Sequence, residues 1–181
     1  MPASASPPRP LSSRKLDILY LVFFMIHIPI ILFVDLAYFY PPALTPSIST
    51  TLRTFYVETY ADRFFISPPA WFKAFGVLEG VYHLPISIWF LGAIWNDHSL
   101  VPLHLLIFGL ETAITTLTCL IDTAEWHAYS EVQRGRIYQL YAPYLVLALL
   151  MVLDGFIKVK QQIMTGGSSI AVSTGKKTKE S

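Results

Sequence analysis

The chain alternates between long apolar runs and shorter polar breaks. A membrane-crossing helix needs about 20 mostly apolar residues. Four windows reach that length: Leu16 to about Tyr40, Ala70–Trp95, Val101 to about Ile121, and Tyr138 to about Ile157. The pattern predicts an all-α integral membrane four-helix bundle. Trp71, Trp89, Trp95, Tyr38, Tyr40 and Tyr138 fall at or near the window ends, where an aromatic belt would place them. Pro29, Pro85 and Pro143 lie inside windows. Each predicts a kink, tolerated where neighbouring groups satisfy the freed carbonyl. Kinked helices splay and leave a cavity; ordinary packing irregularity is the other reading.

The breaks organise the chain. Residues 1–15 are rich in Pro and Ser and predict a disordered N-terminus ahead of a membrane domain over 16–157. In the first loop, Pro41 to Pro69, apolar residues Ile48, Leu52, Phe55 and Tyr56 recur at helical spacing and predict a short amphipathic helix at the interface. The second loop, Asn96–Leu100, is tight and makes its flanking spans antiparallel neighbours. The third, Asp122–Ile137, reads as polar loop, and residues 158–181 as a flexible tail.

Composition removes the soluble alternative: 54% of residues are hydrophobic and 14% charged, against about 25% charged in soluble domains. A net charge of +1 gives no electrostatic case for nucleic acid. One cysteine, Cys119, rules out an internal disulfide. Arg9, Arg14, Lys15, Lys158, Lys160, Lys176, Lys177 and Lys179 lie on one side of the predicted membrane, against Arg53, Arg63, Arg134, Arg136 and Lys73 on the other. Lys and Arg favour the cytosol, so both termini are expected there. No Gly-rich phosphate loop, GxSxG or CxxC motif is present, and no cofactor is expected. Glu79 and His83 are four apart rather than three, as carboxylate-bridged metal helices require, so no metal site is expected either.

The polar residues inside the apolar windows carry the chemistry. Asp35 lies near the end of the first run and Glu79 is the tenth residue of the second. An ionisable group in lipid costs roughly 2.5–3.5 kcal/mol on insertion scales and usually faces a protein interior. Two such carboxylates predict one acidic pocket, holding a single proton between them. The remaining negative charge would attract a protonated amine on an apolar body, or serve acid and base chemistry on an apolar substrate. His27 lies eight residues before Asp35, on nearly the same helical face. With His83, Glu111, Thr116 and Tyr144 it is expected to line one polar chamber. Simpler readings stand beside these: Asp35 near its span end reaching water, Glu79 and Glu111 as interhelical ties, and the histidines as hydrogen-bonded structural groups.

Five strings then occur in order: HIPIILFVD at 27–35, PPAWFKAFGVLE at 68–79, HLP at 83–85, TTL at 115–117 and YAPYL at 141–145. Together they resemble the transmembrane protein 97 (sigma-2 receptor) family of the EXPERA superfamily, which also holds the emopamil-binding sterol isomerase. The resemblance spans roughly residues 16 to 157. It implies a four-helix bundle in the endoplasmic reticulum membrane, a homodimer, and an occluded pocket for sterols and cationic amphiphiles. By motif, Asp35 looks like the carboxylate that meets a ligand amine and Glu79 its hydrogen-bonding partner. Asp62, in YADR at 60–63, looks like an acidic loop residue tied to pocket integrity; Thr116 and Tyr144 match pocket-wall positions. Two residues depart from the receptor pattern: His83 stands where an amide is usual, and Glu111 has no expected equivalent. Lys177 and Lys179 look like a dilysine retrieval signal, with a solvated charge cluster as the alternative. The fungal branch, named for efficient targeting of proteins to mitochondria, is also compatible. Three functions follow as expectations: a non-catalytic sterol or lipid binder active in trafficking, a sterol Δ8–Δ7 isomerase, and an adaptor in delivery of mitochondrial precursors.

Overall fold

The computed structural model describes residues 8–177, with side chains through residue 165. Four helical segments are long and apolar enough to cross a membrane: Lys15–Phe39, Ala70–Trp95, Val101–Ala124 and Glu131–Thr165. The first is α1 (Lys15–Ile30), continued by a π-helical turn at Ile31–Asp35 and a 3-10 turn at Leu36–Phe39. Helices α2 (Ser47–Tyr60) and α3 (Arg63–Ile66) form the first connection. The second span is α4 (Ala70–Leu78), a π-helical turn at Glu79–His83, and α5 (Leu84–Trp95). Helices α6 (Val101–Ala124) and α7 (Glu131–Lys177) complete the bundle.

The two wide turns sit beside the two prolines. Proline lacks an N–H and its ring opposes the carbonyl four residues earlier. In the second span, immediately ahead of Pro85, the Leu84 N–H donates to the Glu79 carbonyl five residues back. In the first span, just past Pro29, the Leu36 N–H donates likewise to the Ile31 carbonyl. Tyr40 then folds back, its hydroxyl donating to the Leu32 carbonyl at 2.8 Å. Single π turns inside helices frequently mark functional sites. Here they carry Asp35 and Glu79 at one end of one turn and the start of the other.

Packing divides the bundle into two apolar cores. Tyr20, Phe24, Phe90, Leu105, Phe108 and Met151 fill the half nearer the Asn96–Leu100 loop. Phe64, Cys119, Trp126 and Ile137 fill the other, with Trp71, Phe72 and Tyr141 packed against them. Helices α6 and α7 touch closely because two glycines leave their backbones bare. A Cβ on Gly109 would lie 2.7 Å from the Ala148 carbonyl oxygen, and one on Gly155 2.7 Å from that of Pro102. Such small-residue contacts drive association in lipid, where apolar burial gives little. Outward-facing Met25, Ile26, Ile114, Ile121, Val146 and Leu153 are exposed, as a lipid-facing surface requires. The amphipathic helix of the first loop forms as expected, with Ile48, Leu52 and Phe55 exposed.

Two expectations change. The fourth span starts at Glu131 rather than Tyr138, which shortens the third loop. A capping box starts it: the Ser130 N–H donates to Gln133 Oε1 at 2.9 Å, and the Gln133 N–H to Ser130 Oγ at 3.3 Å. Beyond Ile157 the helix continues through Lys177, where a flexible tail was expected. Near the end of that span, Asp154 accepts from Lys158 Nζ at 2.8 Å. Lys179 and the side chain of Lys177 lie outside the described residues.

Candidate ligand site

Asp35 and Glu79 line one cavity. The first span brings Asp35 to it on the last residue of its π turn, and the second brings Glu79 on the first residue of its own. Both carboxylates are half-buried, and Glu79 lies within coulombic reach of Asp35 and Glu111. The rest of the wall is mostly aromatic, including Tyr38, Phe39, Phe64, Phe65, Phe72 and Phe75. The Phe39 ring lies over the bare backbone of Gly76, where an added Cβ would come within 2.7 Å of it. As it stands the cavity is tight, with about 30 Å³ open to water-sized molecules.

Sequence reasoning missed two wall residues, Arg53 and Lys73. Among the described residues neither forms an ion pair with Asp35 or Glu79. Each is held elsewhere: Arg53 Nη2 donates to the Phe65 carbonyl at 2.7 Å, and Lys73 Nζ lies 5.2 Å from the centre of the Tyr38 ring. Among the described residues, therefore, no cation stands at contact distance from either carboxylate. A basic residue four positions into an aromatic-flanked helix start signals Lys73 in the sequence; nothing local marks Arg53.

The other polar residues gather separately. His83 bonds through Nε2 to Glu111 Oε2. His27 stacks on Phe23 at 4.9 Å between ring centres, lies 5.9 Å from His83, and approaches Tyr144 at 6.1 Å. Thr112 and Thr116 are buried on α6. His27, His83 and Thr112 each lie near the middle of a span, so they form a polar belt between the two apolar cores. His27, His83, Thr116 and Tyr144 are not part of the wall of the Asp35 cavity. The single chamber expected from the sequence is thus a cavity and a neighbouring belt. Eight residues of helix rise by about 12 Å, which places His27 and Asp35 at different depths of the first span. Both His27 nitrogens, His83 Nδ1 and Thr112 Oγ1 are buried without hydrogen-bond partners among the described residues.

Asp62 anchors the loop-one wall. It caps α3 by accepting from the Phe64 N–H at 2.8 Å. Its other oxygen accepts from the hydroxyls of Tyr56 at 2.9 Å and Tyr141 at 3.0 Å. The residue is fully buried. Burial pushes its carboxyl above the usual range, and the three donors oppose that shift. Tyr56 is itself pushed up, first by burial and then by the Asp62 charge. The knot joins α2, α3 and α7 directly behind Phe64 and Phe65 of the cavity wall, without Asp62 itself reaching the cavity.

Comparison with known proteins agrees with this architecture. The model of the EXPERA (EXPanded EBP superfamily) family matches residues 48–155. Sigma intracellular receptor 2 of Homo sapiens is 27% identical over 157 residues, covering 80% of this chain and 89% of that protein. The Xenopus tropicalis protein of the same name is 26% identical over 156 residues, 78% of this chain and 88% of that one. Efficient mitochondria targeting-associated protein 19 of Saccharomyces cerevisiae is 29% identical over 109 residues, 56% of this chain and 68% of that one.

Proposed function

The chain belongs to the EXPERA family, and from that premise we propose that it is a non-catalytic binder of sterols or related lipids, and of cationic amphiphiles, in an intramembrane pocket built on Asp35 and Glu79. One observation carries this reading: two carboxylates from different spans line one aromatic cavity, with no cation paired to either among the described residues. An anion held against aromatic faces suits an ammonium on an apolar body, which gains from both the charge and the rings. A hydroxyl would be met by the same oxygens.

Small-molecule pockets usually measure roughly 300–1,000 Å³, far more than the present cavity. Ligand entry therefore requires the wall to move, and the Phe39 ring, on a short 3-10 turn over Gly76, is part of that wall. The protein would reside in the endoplasmic reticulum membrane with both ends in the cytosol and serve lipid or protein trafficking, with a homodimer as its assembly. The printed name of the yeast relative favours precursor targeting as the cellular role; normal precursor import in cells lacking the protein would count against it.

The test is extraction of lipids from the purified protein, with Asp35→Asn beside it, followed by mass spectrometry. The wild type should carry sterols or amine-bearing amphiphiles enriched over the membrane, and the variant should lose that enrichment. Identical profiles would overturn the proposal. A second reading, a sterol Δ8–Δ7 isomerase, is favoured by the His83–Glu111 couple beside an unpartnered His27, since a paired acid and a free base are what proton relocation needs. Under this reading a Δ8 sterol yields Δ7 product, and Glu111→Gln abolishes it. Absence of product from the wild type removes it.

A further inference from the structure

A second hollow lies outside the Asp35 cavity, between α2 and the end of the first span. It measures about 570 Å³, within the range of roughly 300–1,000 Å³ typical of ligand sites. Where the first is walled mostly by rings, this one carries hydroxyls beside its two charges: Ser49, Thr50, Arg53, Thr54 and Glu58 come from α2, and Tyr40 closes it. Arg53 forms part of the wall of both spaces.

Two features point to an occupant. Arg53 and Glu58 form no ion pair with each other or with any other described residue. The groove thus presents one cation and one anion, both unpaired, on a wall of hydroxyls. Lastly, α2 exposes Ile48, Leu52 and Phe55, and the span beneath it ends in Tyr38 and Phe39. An apolar helix face beside a span's aromatic end lies where acyl chains give way to headgroups.

We propose that this groove seats the headgroup of a zwitterionic phospholipid, phosphatidylethanolamine in chemical class, with the phosphate on Arg53 and the ammonium on Glu58. A guanidinium fixed by its bond to the Phe65 carbonyl leaves its remaining N–H groups to a phosphate, which it matches as a fork. The primary ammonium donates to Glu58 and the threonine hydroxyls. A choline headgroup has no N–H to give and is recognised instead by aromatic cages, whereas Tyr40 is the one aromatic ring of this groove. Because Arg53 bounds both spaces, a seated headgroup would hold the outer wall of the Asp35 cavity in place.

Native mass spectrometry of the detergent-purified full chain tests this, with dioleoyl phosphatidylethanolamine, dioleoyl phosphatidic acid, dioleoylglycerol and soluble glycerophosphoethanolamine as probes. Phosphatidylethanolamine should bind at least tenfold tighter than dioleoylglycerol and severalfold tighter than phosphatidic acid. Glu58→Gln should erase the preference over phosphatidic acid. Arg53→Gln should weaken both phospholipids at least tenfold, and Arg53→Lys should recover part of that loss. Asp35→Asn should leave all of these values unchanged, which separates this site from the amine pocket. Equal binding of phosphatidylethanolamine and dioleoylglycerol, or an unaltered preference in Glu58→Gln, would overturn the proposal. So would soluble glycerophosphoethanolamine binding as tightly as the lipid, which would make the occupant a water-borne diester. Since Glu58 is exposed and forms no ion pair among the described residues, loss of fold in Arg53→Gln leaves the Glu58→Gln result decisive.

Discussion

Asp62 is a buried carboxylate that among the described residues meets three hydrogen-bond donors and no cation. Removing it by Asp62→Ala strands the hydroxyls of Tyr56 and Tyr141, at about 1–3 kcal/mol each. The fall should appear as a lower thermal midpoint together with weaker ligand binding, since the knot backs the cavity wall. Its pH signature follows from the raised carboxyl pKa. An unfolded aspartate titrates near about 3.9. Between that value and the higher folded one, the native state binds the extra proton, so the contribution of Asp62 to stability falls as pH rises through the window. Stability of the wild type minus that of Asp62→Asn should therefore decline with rising pH in the mildly acid range and then level off; a difference that grows with pH would contradict the assignment. Among single residues, Asp35 and Glu79 were legible because a charge inside an apolar run has few innocent explanations. The bond between His83 and Glu111 was not, because hydropathy places each residue in its span but says nothing of how two spans are rotated against each other.

At the scale of elements, Pro29 and Pro85 announced irregular helices, and the irregularities are there. What the prolines did not announce is the form, a widened turn in each of the first two spans. Whether the chain relieves a proline by bending or by widening depends on what packs around it, here α2 against the wide turn of the first span. The start of the fourth span was legible and overlooked. Ser130 and Gln133 spell a capping box, but an apolar window finds the membrane-embedded part of a helix and not its polar beginning. The contact of α6 with α7 makes a sharper prediction. Gly155→Leu forces a side chain into backbone at the Pro102 carbonyl and the Leu106 amide. Overpacking of this kind costs typically about 1–3 kcal/mol. Gly92→Leu, where an added Cβ meets nothing within 4 Å, should be neutral. Comparable thermal midpoints for the two variants would show that the helices do not depend on that close approach.

For the whole molecule, the first, second and fourth spans are tied at the end that carries the Asn96–Leu100 loop. Arg14, almost fully buried, donates to Asp17 at 2.7 Å and to the Ile94 carbonyl at 2.9 Å. Lys158 reaches Asp17 at 3.2 Å and Asp154 at 2.8 Å. Arg9 grips Asp97 in a two-pronged pair and holds its carboxyl at about 2, well below the usual range. Breaking a buried pair by deleting one partner costs about 3–5 kcal/mol. Arg14→Ala should lower the unfolding midpoint accordingly, while Arg9→Ala, at an exposed side chain, should barely change it. The opposite end is held by aromatic packing around Phe64 and Trp126 and by the Asp62 knot, and this is where the Asp35 cavity lies. One end of the bundle is clamped by charge and the other is walled by rings. The central claim is that Asp35 meets a ligand's charge. The direct measurement is a pair of binding isotherms, one for a tertiary-amine amphiphile and one for its neutral carbon isostere, on the wild type and Asp35→Asn in nanodiscs. The wild type should prefer the amine by at least tenfold, about 1.4 kcal/mol, and the variant should show no preference while keeping its thermal midpoint. An amine preference that survives Asp35→Asn would contradict the account.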